Sequence, residues 1–253
     1  MNSKKRKKIV AALFAFFLAA VVVGCGANKH AQDLRPAKEL YDSAMSDYFE
    51  DKFDDSERTF KTLMENYPLS AYAVDAQLII GDVCFAADKY DEAASYYTNF
   101  VAMHPAHPRA SYALFQKGMS YFKDILTIDR DLVSTRKSLF AFEDLIVGYG
   151  NSSYIDKSKE FRDFLRKRLA EREMYVARFY YKSKNYKAAL QRFREVLKNY
   201  NDSGFSDETL YYVGESYARL GEDALAKDAF SSLVNNFPES PFAVKAKAKA
   251  DAS

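Results

Sequence analysis

Five stretches of this chain carry the same five-residue pattern at the same offsets. Phe53, Ser56, Phe60, Leu63 and Pro68 are separated by 3, 4, 3 and 5 residues, and Tyr90, Ala93, Tyr97, Phe100 and Pro105 repeat those offsets 37 residues later. Thr135, Ser138, Phe142, Leu145 and Gly150 form a third copy, Tyr186, Ala189, Phe193, Val196 and Asn201 a fourth, and Asp223, Ala226, Phe230, Leu233 and Pro238 a fifth. Steps of 3 and 4 line one face of an α-helix. In each copy the small residue admits a neighbouring helix and the aromatic and aliphatic residues fill the space between helices, and in all but the fourth, which has Asn201, Pro or Gly ends the turn. A second helical segment precedes each copy, clearest at Leu210, Val213, Gly214 and Tyr217, at Ile80-Gly81, and at Gly118 with Tyr121. Such a unit cannot bury its apolar face alone, so neighbouring units must stack.

Helix, tight turn and helix at about 34 to 37 residues resembles the tetratricopeptide repeat (TPR). That resemblance implies an all-α fold, a right-handed α-α superhelix or solenoid of five helix-turn-helix repeats with a concave inner surface. The third repeat departs from the period, because 20 residues separate Gly118 from Ser138 where the spacing predicts about 12. The insert lies around Ile125 to Val133 and contains Asp129-Arg130-Asp131. From Ser153 to Lys182 the chain has no Gly or Pro and keeps a helical apolar pattern through Ile155, Phe161, Leu165, Leu169, Tyr175, Val176 and Phe179. This predicts one long helix joining repeats one to three to repeats four and five. The tail Val244 to Lys249 is a good helix former, expected to cap the solenoid or to fray.

The first 25 residues read as an address. Lys4-Lys5-Arg6-Lys7-Lys8 precede an apolar run of 15 residues from Ile9 to Val23, shorter than the roughly 20 residues that span a bilayer. With Val22-Val23-Gly24-Cys25 following, the segment resembles a bacterial lipoprotein signal in which Cys25 becomes the lipidated first residue. Gly26 stands where an aspartate would resemble an inner-membrane retention signal, so the expected place is the periplasmic face of the cell outer membrane. The expected organisation is a signal peptide over 1–24, a lipidated tether over 25–36, repeats one to three over 37–152, the connecting helix with repeats four and five over 153–242, and a tail over 243–253. Removing residues 1–24 leaves 32 basic against 35 acidic residues, and no basic stripe appears later, so nucleic acid is not an expected partner. Cys84 then has no partner in the mature chain and reads as a small buried apolar residue.

The first helix of each TPR unit lines the inner surface. In the first three repeats this places Tyr41, Met45 and Tyr48, then Asp75, Leu78, Asp82 and Phe85, then Tyr112, Phe115, Met119 and Phe122 along a groove. Aromatic and Met linings suit peptides of varied sequence, since they give contact area without demanding one hydrogen-bond pattern. The candidate peptide-binding residues are therefore Tyr41, Tyr48, Phe85, Tyr112, Phe115 and Phe122. The equivalent positions of the second half, Glu171, Met174, Arg178, Tyr181, Glu208, Tyr211, Glu215 and Ala218, are more charged. Chemistry is thin: His104 and His107 sit in a proline-bounded turn, no Gly-rich phosphate loop is present, and no Cys-His pair has plausible context. No catalytic residue, no metal site and no cofactor beyond the covalent lipid on Cys25 is expected. The basic residues Arg162, Arg166, Lys167, Arg168 and Arg172 interleave with Glu160, Asp163, Glu171 and Glu173, which reads as a solvated, salt-bridge-laced helix.

Several local strings carry a more specific resemblance. Asn66-Tyr67-Pro68 followed by Tyr72, the turn His104-Pro105-Ala106-His107-Pro108, and Asp129-Arg130-Asp131 followed by Gly148-Tyr149-Gly150-Asn151-Ser152-Ser153-Tyr154 occur in the order found in one family. With the lipobox and an insert in the third repeat, the mature chain resembles the BamD family of outer-membrane protein assembly factors. Gly150 and Asn201 stand where that family has Pro. The resemblance implies a non-enzymatic lipoprotein scaffold of the β-barrel assembly machinery. Its C-terminal repeats would dock the central barrel-forming subunit BamA alongside other lipoprotein subunits. Its N-terminal repeats would receive the aromatic-ended C-terminal segment of unfolded outer-membrane barrel proteins. Arg192 matches a family position suited to pairing with an acidic group of that subunit, and Arg178 joins it as a docking candidate. The competing reading keeps the fold and makes the protein a TPR envelope lipoprotein that coordinates Tol-Pal machinery or pilots a secretin.

Overall fold

The computed structural model describes residues 35–125 and 132–250; the signal segment, Cys25 and most of the tether lie outside the described residues, as does Asp129-Arg130-Asp131 of the insert. Every described element is a helix. Their order is α1 (Ala37–Phe49), α2 (Phe53–Asn66), α3 (Ala71–Ala86), α4 (Tyr90–Met103), α5 (Ala110–Lys123), α6 (Leu132–Gly148), α7 (Ile155–Lys182), α8 (Tyr186–Asn199), α9 (Ser206–Arg219), α10 (Asp223–Asn236) and α11 (Pro241–Ala250). Each helix packs on the next, so α1 to α10 form five antiparallel pairs stacked in sequence, the TPR solenoid that the spacing predicts.

The repeated offsets have a direct packing cause. Phe60, Tyr97, Phe142, Phe193 and Phe230, the third residue of each copy, all lie in the core. Opposite them in the preceding helix stand Ala44, Gly81, Gly118, Ala177 and Gly214, all buried. At Gly81, Gly118 and Gly214 there is no room for more: a Cβ would come within 2.8, 2.7 and 2.5 Å of the Tyr97, Phe142 and Phe230 rings. The small residue of each copy completes the contact. Ser56 and Ser138 donate to the carbonyls of Ala44 and Gly118 at 2.8 and 2.9 Å, which satisfies buried hydroxyls while holding the pair together. Alanine fills the same place in repeats two, four and five.

Turn chemistry follows the same register. Within four of the pairs one residue takes positive φ, Asp51 and Asp88 at 58°, Lys184 at 60° and Gly221 at 77°. A left-handed residue lets the second helix fold straight back on the first, and Gly221 adopts it without strain. The pairs end alike too, with Tyr67, His104 and Phe237 near φ −133, −131 and −136°, each just before a proline. Tyr200 takes φ −138° before Asn201, so the turn of repeat four keeps its form without proline.

Helix α7 runs 28 residues and packs on α6 along its first half and on α8 along its second, as the uninterrupted run from Ser153 predicts. Around the insert, α5 stops at Lys123 and α6 starts at Leu132, and Ser134 donates to Asp124 at 2.7 Å across the base of the loop. The tail forms α11, with Ala243 and Ala246 buried against Phe230 and Leu233. It is a docked cap, and position 242/243 falls inside it. Among the described residues no helix is long and apolar enough to cross a membrane.

Candidate interaction surface

The six aromatic side chains predicted for the groove are all half-buried, each with part of its ring in the core and part in solvent. They fall into three neighbourhoods. Tyr41 packs on Phe60 and Tyr72, and Tyr48 on Phe53. Phe85 makes an edge contact with Tyr90 across the turn of repeat two. Phe115 and Phe122 meet α7: Phe115 stacks on Tyr154 with centroids 4.9 Å apart, and Phe122 sets its edge on Phe161 at 4.9 Å. Phe142 and Phe161 stack beneath them at 5.1 Å. Phe115 and Phe122 are thus partly covered by the long helix, a neighbour that the repeat period does not foretell.

Tyr112 has a different environment. Its hydroxyl donates to Asp82 Oδ1 at 2.8 Å, beside a second bond from Tyr97 at 2.6 Å. The Arg109 guanidinium lies 5.5 Å from the Tyr112 ring centre and 3.8 Å from Asp82 Oδ2. Burial holds the Asp82 carboxyl above the ordinary carboxylate range, although both tyrosine bonds and Arg109 pull the other way. Burial and the Asp82 charge together push both tyrosine hydroxyls up, so they stay protonated and keep donating. Tyr112, Arg109, Ser111 and Tyr154 wall a cleft of about 1080 Å³ between the loops ending repeats two and three. Tyr154 ends the family-like string 148–154 and Arg109 directly follows the turn 104–108, but the repeat spacing places neither in the groove. Arg109 follows the repeat's closing turn, where the spacing says nothing about direction.

The folded-state affinity of Asp82 for a proton exceeds that of the unfolded chain, so its contribution to stability is full at acid pH. That contribution is lost as pH rises from the usual value of about 3.9 through the raised one. In denaturant melts at a series of pH values, Asp82→Asn is expected to lack this decline relative to the parent. An identical pH slope in both proteins would remove the burial account.

In the second half the charged positions pair with each other. Arg178 makes a two-pronged bond to Glu208, Nε to Oε1 at 2.8 Å and Nη2 to Oε2 at 2.5 Å, linking α7 to α9. Arg192 is exposed on α8 and donates to Glu173 Oε2 at 3.1 Å. The two docking candidates therefore form separate ion pairs. Tyr181 donates to Glu215 at 3.2 Å, and Lys249 of α11 reaches the same carboxylate at 2.6 Å. Arg166 grips Asp202 through three bonds of 2.9 to 3.1 Å, in keeping with a salt-bridge-laced α7.

The histidine pair is structural. His104 bonds Gln77 at 2.8 Å, His107 accepts from the Arg109 backbone at 3.1 Å, and both rings rest on Phe100. Glu57, Cys84 and Glu92 bring ligand atoms within 4.8 Å of one another. Lys61 and Lys89 already occupy Glu57 at 2.6 and 3.1 Å, and burial pushes the Cys84 thiol up to about 12, so it remains protonated. That is the chemistry of a packed core residue, not of a thiolate ligand.

Residues 33–229 match the family described as YfiO, outer membrane lipoprotein, which is most of the chain. This chain belongs to that family. Among its relatives, the outer membrane protein assembly factor BamD of Rickettsia prowazekii is 33% identical over 237 residues, covering 93% of this chain and 94% of the relative. The BamD of Caulobacter vibrioides is 27% identical, covering 88% and 75%. That of Neisseria meningitidis serogroup A is 28% identical, covering 81% and 80%. Family members are assembly factors rather than enzymes, and association with the outer membrane comes with the family.

Proposed function

We propose that this protein is the TPR lipoprotein scaffold of a β-barrel assembly machine, anchored by lipid on Cys25 at the periplasmic face of the outer membrane. Its first three repeats receive unfolded barrel proteins, and its last two dock the central barrel-forming subunit of the BamA type beside other lipoprotein subunits. The names of its relatives support the assembly role, and the observation that carries the two-sided division of labour is the contrast between the halves. In repeats one to three the first-helix positions Tyr41, Tyr48, Phe85, Tyr112, Phe115 and Phe122 are half-buried aromatics, whereas in repeats four and five Arg178 pairs with Glu208, and Glu215 takes Tyr181 and Lys249. Partly exposed rings on a rigid backbone bind peptides at little cost in side-chain entropy. Tyr112 is the best placed, since Asp82 fixes its ring while leaving one face at the cleft.

The test crosses two variants with two assays. Tyr112→Ala is expected to weaken binding of an aromatic-ended barrel-protein peptide about tenfold, a loss of about 1.4 kcal/mol, with co-purification of the BamA-type subunit intact. Arg192→Glu sets a carboxylate beside Glu173 and is expected to lower co-purification while leaving peptide affinity unchanged. Equal losses of both variants in both assays would contradict the division.

A further inference from the structure

Tight turns make successive helices antiparallel, so every odd-numbered helix from α1 to α9 starts on one edge of the stack. The chain enters at Ala37 on that edge, which also holds the loops leading into α3, α5 and α7. The turns at 50–52 and 87–89 lie on the other edge. The two edges differ in chemistry. Residues 66–72, 103–109 and 147–154 contain no Asp or Glu and present Tyr67, Leu69, Tyr72, Met103, Val147 and Tyr149. Leu69 is 100% exposed, Val147 86% and Met103 56%. The opposite turns read Glu50-Asp51-Lys52 and Asp88-Lys89, and the large apolar residues exposed on that edge of the first three repeats are Phe49 and, at the start of α6, Val133. Farther from the N-terminus, the loops at 200–205 and 237–240 carry Asp202 and Glu239, so the carboxylate-free stretch belongs to the first three repeats alone.

These loops are built to hold their tips out. Ser70 and Ser152 donate their backbone N–H to Tyr67 and Tyr149 carbonyls at 3.0 and 2.9 Å, and the Tyr149 hydroxyl donates to Pro105 O at 2.9 Å, tying the second loop to the third. A leucine displayed wholly to water on a closed turn does nothing for the fold.

We propose that this edge lies on the lipid surface, with Leu69 and Val147 entering the boundary between headgroups and acyl chains. The inference rests on the reading of Cys25 as the lipidated residue. Eleven residues lie between Cys25 and Ala37, and the twelve steps from one to the other reach at most about 40 Å even fully extended. That reach, about twice the length of a 14-residue helix, lets the edge at which the chain enters lie on the membrane. Tyrosines and aliphatic tips without carboxylates are the composition an interface accepts, and Arg109 supplies a cation suited to anionic headgroups. The lipid then fixes the distance to the membrane and the loop tips fix the orientation, which keeps the aromatic first-helix positions at a set height above the bilayer.

The chain has no tryptophan, so one can be placed at will. Leu69→Trp, Val147→Trp and, on the opposite edge, Phe49→Trp are made separately in the full-length lipidated protein. Each is reconstituted on phosphatidylethanolamine and phosphatidylglycerol vesicles with or without brominated phosphatidylcholine. The proposal expects a blue-shifted emission, quenched by the brominated chains, at positions 69 and 147 and neither effect at 49. Flotation of the same samples reports the anchor separately. Protein that floats with an unquenched Leu69→Trp overturns the edge while leaving the anchor; protein that fails to float overturns both. A blue shift that arises only when co-purified assembly subunits are added, without bromine quenching, assigns the edge to a protein partner and also overturns the proposal.

Discussion

Phe142→Ala is expected to cost about 3 to 5 kcal/mol and to split unfolding into two transitions. The ring is fully buried, rests against Gly118, stacks on Phe161 at 5.1 Å and touches Phe115 at 5.7 Å. It thereby joins repeat three to the first half of α7, which carries repeats four and five on its second half. In a stacked-repeat protein each unit is stabilised mainly by its neighbours, so a cavity at this joint weakens the coupling as well as the local core. Thermal denaturation followed by circular dichroism should show an early transition absent from the parent. A single transition shifted by less than about 1 kcal/mol would mean that Phe142 is not the joint described.

Gly214→Leu is expected to lose about 3 kcal/mol, at the upper end of overpacking costs. Two effects compete at this position. Replacing a mid-helix glycine gains roughly 1 kcal/mol of helix propensity. Against it, even a Cβ would sit 2.5 Å from Cε1 of Phe230 and within 2.8 Å of two further ring atoms, and that ring is only 4% exposed, with nowhere to turn. Packing wins. The same substitution at Gly148, where a Cβ meets nothing within 4 Å, should be neutral or slightly stabilising. Melting temperatures of the two variants should thus move apart; equal shifts would show that helix propensity, not close approach, explains the glycine.

The solenoid was legible because its determinants are local and repeated. Offsets of 3, 4, 3 and 5 report which side chains are buried, and all five copies begin or continue a helix where the spacing predicts. Gly81, Gly118 and Gly214 could be picked out as helical partners of the aromatic positions by register alone. The candidate surface was legible only in part. The spacing singled out Tyr41, Tyr48, Phe85, Tyr112, Phe115 and Phe122, but not that Phe115 and Phe122 are partly covered by α7, because a 28-residue helix has no counterpart in the repeat. Pairings such as Arg178 with Glu208 join half-buried charged residues 30 apart, about which apolar periodicity carries no information. Arg109 was missed for the same reason: its meaning lies in Asp82 and Tyr112, which only folding brings beside it. The loops at 66–72, 103–109 and 147–154 drew attention for their resemblance to a family, whereas their shared edge and lack of carboxylates show only when the helices are stacked.

The central claim is that this chain works within a barrel-assembly complex at the outer membrane. The most direct test is to tag the lipidated protein in its native envelope, extract it in mild detergent and identify what co-purifies by mass spectrometry. A large outer-membrane barrel protein with periplasmic repeat domains is expected, recovered with other small lipoproteins. Recovery of Tol-Pal or secretin components in its place would keep the fold and contradict the function.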